Sequence, residues 1–118
     1  MIPFNRVRIE MIDGFLTIQD SQHLDVTNGS YYIDDGCLII YVHDEAVVGL
    51  PKSHYQEVMI HSIRGDCKLA VSHSVVDYTS FFSETGDLII ARRMHNISFS
   101  SKMGRCIYGE HSDTSKKN

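Results

Sequence analysis

The chain predicts an α+β fold that is mainly β: an antiparallel meander curled into a small barrel or sandwich with one short covering helix. Three observations lead there. Short runs of β-branched and aromatic residues recur along the sequence, and turns bearing glycine separate them. A single segment, 54–64, carries start and stop signals for a helix.

In chain order, Arg6-Val7-Arg8-Ile9-Glu10-Met11 alternates polar with apolar. Asp13-Gly14 tolerates positive φ, and Phe15-Leu16-Thr17-Ile18 runs back, so this reads as a first hairpin. A second joins Tyr31-Tyr32-Ile33 through Asp34-Asp35-Gly36 to Cys37–Val42, a run apolar on both faces that suits a central strand. His43-Asp44-Glu45 reads as the next turn, into Ala46-Val47-Val48. Further on, Val75 to Phe82 turns through Ser83–Asp87 and returns as Leu88-Ile89-Ile90-Ala91. Ile97–Ser100, Lys102-Met103-Gly104 and Arg105–Tyr108 make a last hairpin.

The helix is expected from about 54 to 64. Ser53 and Gln56 form a capping box, Glu57 falls in the first turn, Arg64 in the last, and Gly65 at the left-handed cap. Tyr55, Val58, Met59 and Ile63 would then form one apolar stripe over a sheet face.

Asp13–Ile18, Asp35–Ile40 and Thr85–Ile90 all read turn residue, glycine, any residue, Leu, any residue, Ile, with glycines at 14, 36 and 86. Their separations of 22 and 50 residues are not a fixed period, so recurrent turn chemistry explains them better than stacked repeats.

At 118 residues the chain is one domain, expected to span 1–109, with 110–118 a flexible polar tail free of aliphatic residues. No apolar run approaches the roughly 20 residues of a bilayer-spanning helix, and Met1–Arg6 lacks the pattern of a secretory signal. A cytoplasmic protein is expected, with Cys37, Cys67 and Cys106 as thiols packed among apolar neighbours.

Enzymatic signatures are sparse. The sequence holds no phosphate-binding glycine loop, Gly-x-Ser-x-Gly elbow, Cys-x-x-Cys or His-Glu-x-x-His. On the expected helix, His54, Glu57 and His61 would share a face, and Glu57 could hold the His61 imidazole as a general base. That pair would suit a small metal-independent nuclease or phosphodiesterase. Seven helical residues separate His54 from His61 by about 10.5 Å, too far for one ion. The even spacing of His61, Cys67 and His73 would allow Cys67 or His73 to complete a site, but Gly65 deprives that spacing of meaning for facing, so no metal site and no cofactor are expected.

Charge is more informative. The formal net charge is −4, but residues 1–59 hold nine acidic and three basic side chains, net −6, whereas 60–118 hold six and eight, net +2. Between Leu88 and Tyr108 stand Arg92, Arg93, Lys102 and Arg105 without a carboxylate. With His95 and Tyr108 they form a candidate site for an anionic nucleotide or nucleic acid, where forked hydrogen bonds meet phosphate and a ring stacks a base. The acidic half, with carboxylates in its turns, suits electrostatic steering toward a basic partner.

The expected function is therefore a non-enzymatic intracellular binding module. It would be a small inhibitor or sequestering protein, of the type that phages carry against host defences or that bacteria carry as immunity proteins. Its target would be a protein or an anionic nucleotide. Sheet edges in so small a domain also favour a homo-oligomer.

Overall fold

The computed structural model describes residues 2–91 and 96–108. Its ten strands are β1 (Arg6–Met11), β2 (Phe15–Ser21), β3 (Asp25–Asp34), β4 (Cys37–Pro51), β5 (His54–Ser62), β6 (Asp66–Ala70), β7 (Val75–Ser83), β8 (Leu88–Ile90), β9 (Ile97–Ser101) and β10 (Cys106–Tyr108). Among the described residues there is no helix.

The antiparallel meander with a covering helix is overturned. Every strand pair is parallel except β3 with β4, and the order across the sheet is β10-β8-β6-β2-β4-β1-β5-β7-β9. The chain winds as a coil whose tiers are β1–β2, β5–β6, β7–β8 and β9–β10, each a strand, a corner and a second strand. β4 bends at its middle and supplies a whole tier alone, stacked outside β1–β2, with β3 along its outer edge. The stack therefore runs β3, β4, β1–β2, β5–β6, β7–β8, β9–β10. A front sheet (the second part of β3, the first half of β4, β1, β5, β7, β9) faces a back sheet (the first part of β3, the rest of β4, β2, β6, β8, β10).

Alternation of apolar and polar residues specifies a strand but not the direction of its neighbour. Here direction is decided at the corners. The pairs read as hairpins, such as 6–11 with 15–18, are the two halves of one tier and hydrogen-bond to other tiers instead.

Parallel stacking puts identical positions of each tier in rows. One inward row is Leu38, Val7, Val58, Thr79 and Ile97; the next is Ile40, Ile9, Ile60, Phe81 and Phe99. From the back sheet come Ala46, Leu16, Cys67, Leu88 and Cys106. These rows meet between the sheets as one core, with Ile9, Ile40, Ile60, Leu16 and Leu88 fully buried. At about 25 cal/mol per Å2 of apolar surface, this contact between rows is what holds the coil together. Cys67 lies in it, and Cys37 and Cys106 are half-buried; all three are free thiols.

The expected helix at 54–64 is strand β5. Val58, Ile60 and Ser62 are buried while Met59 and His61 are exposed, a period of two that fits the rows on either side. Its capping residues serve other ends: the Ser53 N–H donates to Ser74 Oγ, the Ser53 carbonyl accepts from Val75 N–H, and Gly65 makes a corner.

That corner explains the glycines. Gly65, Gly86 and Gly104 stand one above another, with spacings of 21 and 18 residues, because each lies against the carbonyl of the glycine in the tier before. A Cβ on Gly86 would be 2.0 Å from Gly65 O, and one on Gly104 would be 1.8 Å from Gly86 O. Three residues ahead of each stands a serine. Gly86 N–H donates to Ser83 Oγ at 2.8 Å and Gly104 N–H to Ser101 Oγ at 2.9 Å. Asp66 Oδ1 then takes Asp87 N–H, and Asp87 Oδ1 takes Arg105 N–H. Stacked repeats, rather than independent turns, thus account for Gly14 and Gly86, whereas Gly36 belongs to the β3–β4 hairpin. In that hairpin Asp35 (φ 51°) and Gly36 (φ 75°) make the expected turn, and the run Cys37–Val42 is the interior strand its composition predicts.

Candidate functional site

The outer face of the front sheet displays the strongest concentration of binding-type side chains. The same parallel register that builds the core aligns the outward residues: Ile39, Arg8, Met59, Ser80 and Ser98 in one row, Tyr41, Glu10, His61, Phe82 and Ser100 in the next. Tyr32 joins from β3, its ring stacked 6.5 Å from Tyr41. Of the eleven exposed large hydrophobic residues among those described, five (Tyr32, Tyr41, Met59, Tyr78 and Phe82) stand on this one face, Phe82 with 57% of its surface open.

At its centre three charged or polar groups are chained. Arg8 Nε donates to Glu10 Oε2 at 2.8 Å, and Glu10 Oε1 lies 3.2 Å from His61 Nδ1. The His61 ring tilts against Phe82 with centroids 5.5 Å apart. The hydrogen bond to Glu10 and its charge raise the Arg8 guanidinium above its ordinary value. A groove of about 370 Å3 runs here between Arg8, Met59, His61, Ser80 and Phe82.

The sequence paired His61 with Glu57, which the structure corrects. Four strand residues separate the two by about 13 Å, and the carboxylate at His61 comes from β1. His54 likewise meets Asp77, with Nε2 2.8 Å from Oδ1, rather than sharing a helix face. No set of three metal-ligating side chains forms among the described residues; Cys67 is sealed in the core and His73 Nδ1 lies 3.2 Å from Asp20 on the connecting side of the coil.

On that side a cavity of about 840 Å3 is lined by Ile2, Phe4, Asp20, Lys52, His54 and His73. Asp20, His54 and His73 among its polar groups are engaged with the scaffold. Asp20 accepts from Ser72 N–H, Ser72 Oγ and His73 N–H, tying one connection to another. Burial raises the Asp20 carboxyl, but these hydrogen bonds outweigh it and hold the group below its ordinary value. Beneath, Phe4 stacks on Tyr55, whose hydroxyl donates to the Pro51 carbonyl and whose ionisation burial pushes up to about 12.

Of the predicted anion-binding residues, Lys102 and Arg105 share the corner of the last tier, while Tyr108 ends β10, roughly 10 Å farther along an extended chain. Arg92, Arg93 and His95 lie outside the described residues, as does the expected tail at 110–118. The outer face itself escaped sequence reading, because its members come from positions 8, 10, 32, 41, 59, 61 and 82 and only the register unites them. No protein-family model matches the chain, and a search of curated proteins finds no match.

Proposed function

We propose that the chain is a non-enzymatic binding module whose outer front face receives a protein partner, in the manner of an inhibitor or sequestering protein. The observation that carries this is the gathering of Tyr32, Tyr41, Met59, Tyr78 and Phe82 around Arg8 and His61 on a single open face. Tyr, Phe, Met and Arg are the residues enriched at protein interfaces, and a contiguous apolar patch with polar groups among it marks such a surface. A phosphate-bearing ligand finds less support there, since Arg8 is already engaged by Glu10. Turnover by a His61/Glu57 pair loses its geometric basis. Three free thiols fit a reducing, cytoplasmic setting.

The test is the paired replacement Tyr41→Ser and Phe82→Ser, set beside Lys102→Ala and Arg105→Ala. The first pair abolishes complex formation and the second leaves it intact; the reverse pattern moves the site to the basic corner and an anionic ligand.

A further inference from the structure

The coil is electrically polarised along its axis, and its two ends are complementary. At one end, residues 25–51 of β3 and β4 include Asp25, Asp34, Asp35, Asp44 and Glu45 and no Lys or Arg. At the other, residues 96–108 include Lys102 and Arg105 and no carboxylate. The split between an acidic and a basic half of the sequence is thus a separation in space.

Both ends also offer backbone. Thr79 N–H donates to the Asn96 carbonyl, so the parallel ladder turns the amides of Ser98 and Ser100 toward β7 and those of Ile97, Phe99 and Ser101 away from it. No described residue pairs with the outer edge of β9 or β10. Neither strand holds a charge, a proline or a bulge, the devices that ordinarily blunt an edge. Among the described residues β3 pairs with β4 alone, which leaves its outer side as the edge at the opposite end, and it exposes Tyr31 and Ile33.

From these facts we infer that copies of this chain stack head to tail, the β9–β10 edge of one copy pairing antiparallel with the β3 edge of the next. The register supports the fit. Ile97 ends the row begun by Leu38, whose partner on β3 is Ile33; Phe99 ends the row of Ile40, whose partner is Tyr31. Coaxial stacking therefore sets Ile97 against Ile33 and Phe99 against Tyr31 of the neighbouring copy, and extends both inward rows across the joint. A head-to-head joint would instead bring two basic ends together. Because the two surfaces differ, the joint does not close on itself at two copies and chains of copies grow. This inference is independent of the partner assigned to the front face.

The experiment is sedimentation velocity of the full chain over a range of concentration at low and high salt. The average mass climbs continuously with concentration at low salt and falls back toward the monomer at high salt. Lys102→Glu with Arg105→Glu makes the β9–β10 end acidic like the other, and Asp25→Lys with Asp34→Lys replaces both carboxylates of β3 itself, so that the β3 edge becomes basic. Each variant alone stays monomeric with an unchanged thermal unfolding curve, and an equimolar mixture of the two regains association. A wild-type chain that is monomeric throughout overturns the inference. So does a fixed dimer insensitive to Asp25→Lys and Asp34→Lys, which would be the head-to-head joint.

Discussion

Glu10 Oε1 sits 3.2 Å from His61 Nδ1, although the two residues are 51 positions apart in sequence. The contact exists because β1 and β5 are parallel neighbours in a register that pairs Glu10 with His61 directly. It fixes the His61 ring beside Phe82 and holds Arg8 at the same carboxylate, so one side chain organises the middle of the outer face.

Replacing that carboxylate should therefore affect binding more than folding. Glu10→Ala leaves Arg8 and His61 in contact with water, where ion pairs are worth up to about 1 kcal/mol. Denaturation midpoints should move little, while affinity for the partner falls roughly tenfold, or about 1.4 kcal/mol. Titration calorimetry beside urea unfolding separates the two effects.

The corner ladder makes a harsher demand. Gly86→Ala drives a methyl group into the Gly65 carbonyl, and the backbone of the adjoining tier must move. Such overpacking costs about 1–3 kcal/mol, occasionally more. Gly14→Ala should cost more, since Gly14 has φ 107° and also lies against the Asp44 carbonyl. Equilibrium unfolding of both variants checks the order.

Thr79 offers the opposite change. It is fully buried in an inward row otherwise composed of Leu, Val and Ile, and its Oγ1 lacks a hydrogen-bond partner among the described residues. Thr79→Val keeps the shape and removes the unsatisfied group, so stability should rise by about 1 kcal/mol. A lower denaturation midpoint for the variant would contradict this placement.

Asp20 predicts a response to acid. Its folded-state pKa is depressed by the hydrogen bonds from Ser72 and His73, so its contribution to stability is present above the ordinary value of 3.8 and is lost as the pH falls through the folded value. The stability of Asp20→Asn should consequently be lower than wild type near neutrality and should decline less below pH 3.8. Thermal unfolding across the acid range measures the difference in slope.

Strand content was legible throughout, because alternation and glycine punctuation are local. The β3–β4 hairpin was legible for the same reason: Asp35 and Gly36 carry the two left-handed positions of its turn. Strand direction was not, since it depends on contacts across 18 to 51 residues. One signal of the coil stood in the sequence. Ser62-x-x-Gly65, Ser83-x-x-Gly86 and Ser101-x-x-Gly104 repeat at a corner, but the first tier has Met11 in place of serine and the β4 tier bends at Asp44, with φ 57°, where glycine would stand. The helix signals at 53–65 misled because Ser53 and Gly65 serve the connections that flank β5, while Gln56 is an exposed residue within the strand. His61 was identified as a candidate, yet its carboxylate could not be, because Glu10 reaches it only through the β1–β5 register.

Affinity for the natural partner is the most direct test of a binding face. Parallel capture from the source cells with the wild-type chain and with Tyr41→Ser/Phe82→Ser, followed by titration of the purified captured protein, provides it. One protein is expected on the wild-type chain, bound at least 100-fold more weakly by the double variant, consistent with two aromatic anchors each worth about 2 kcal/mol. Lys102→Ala/Arg105→Ala should bind that protein with unchanged affinity. Equal binding by the wild type and the Tyr41→Ser/Phe82→Ser variant would contradict the assignment of this face.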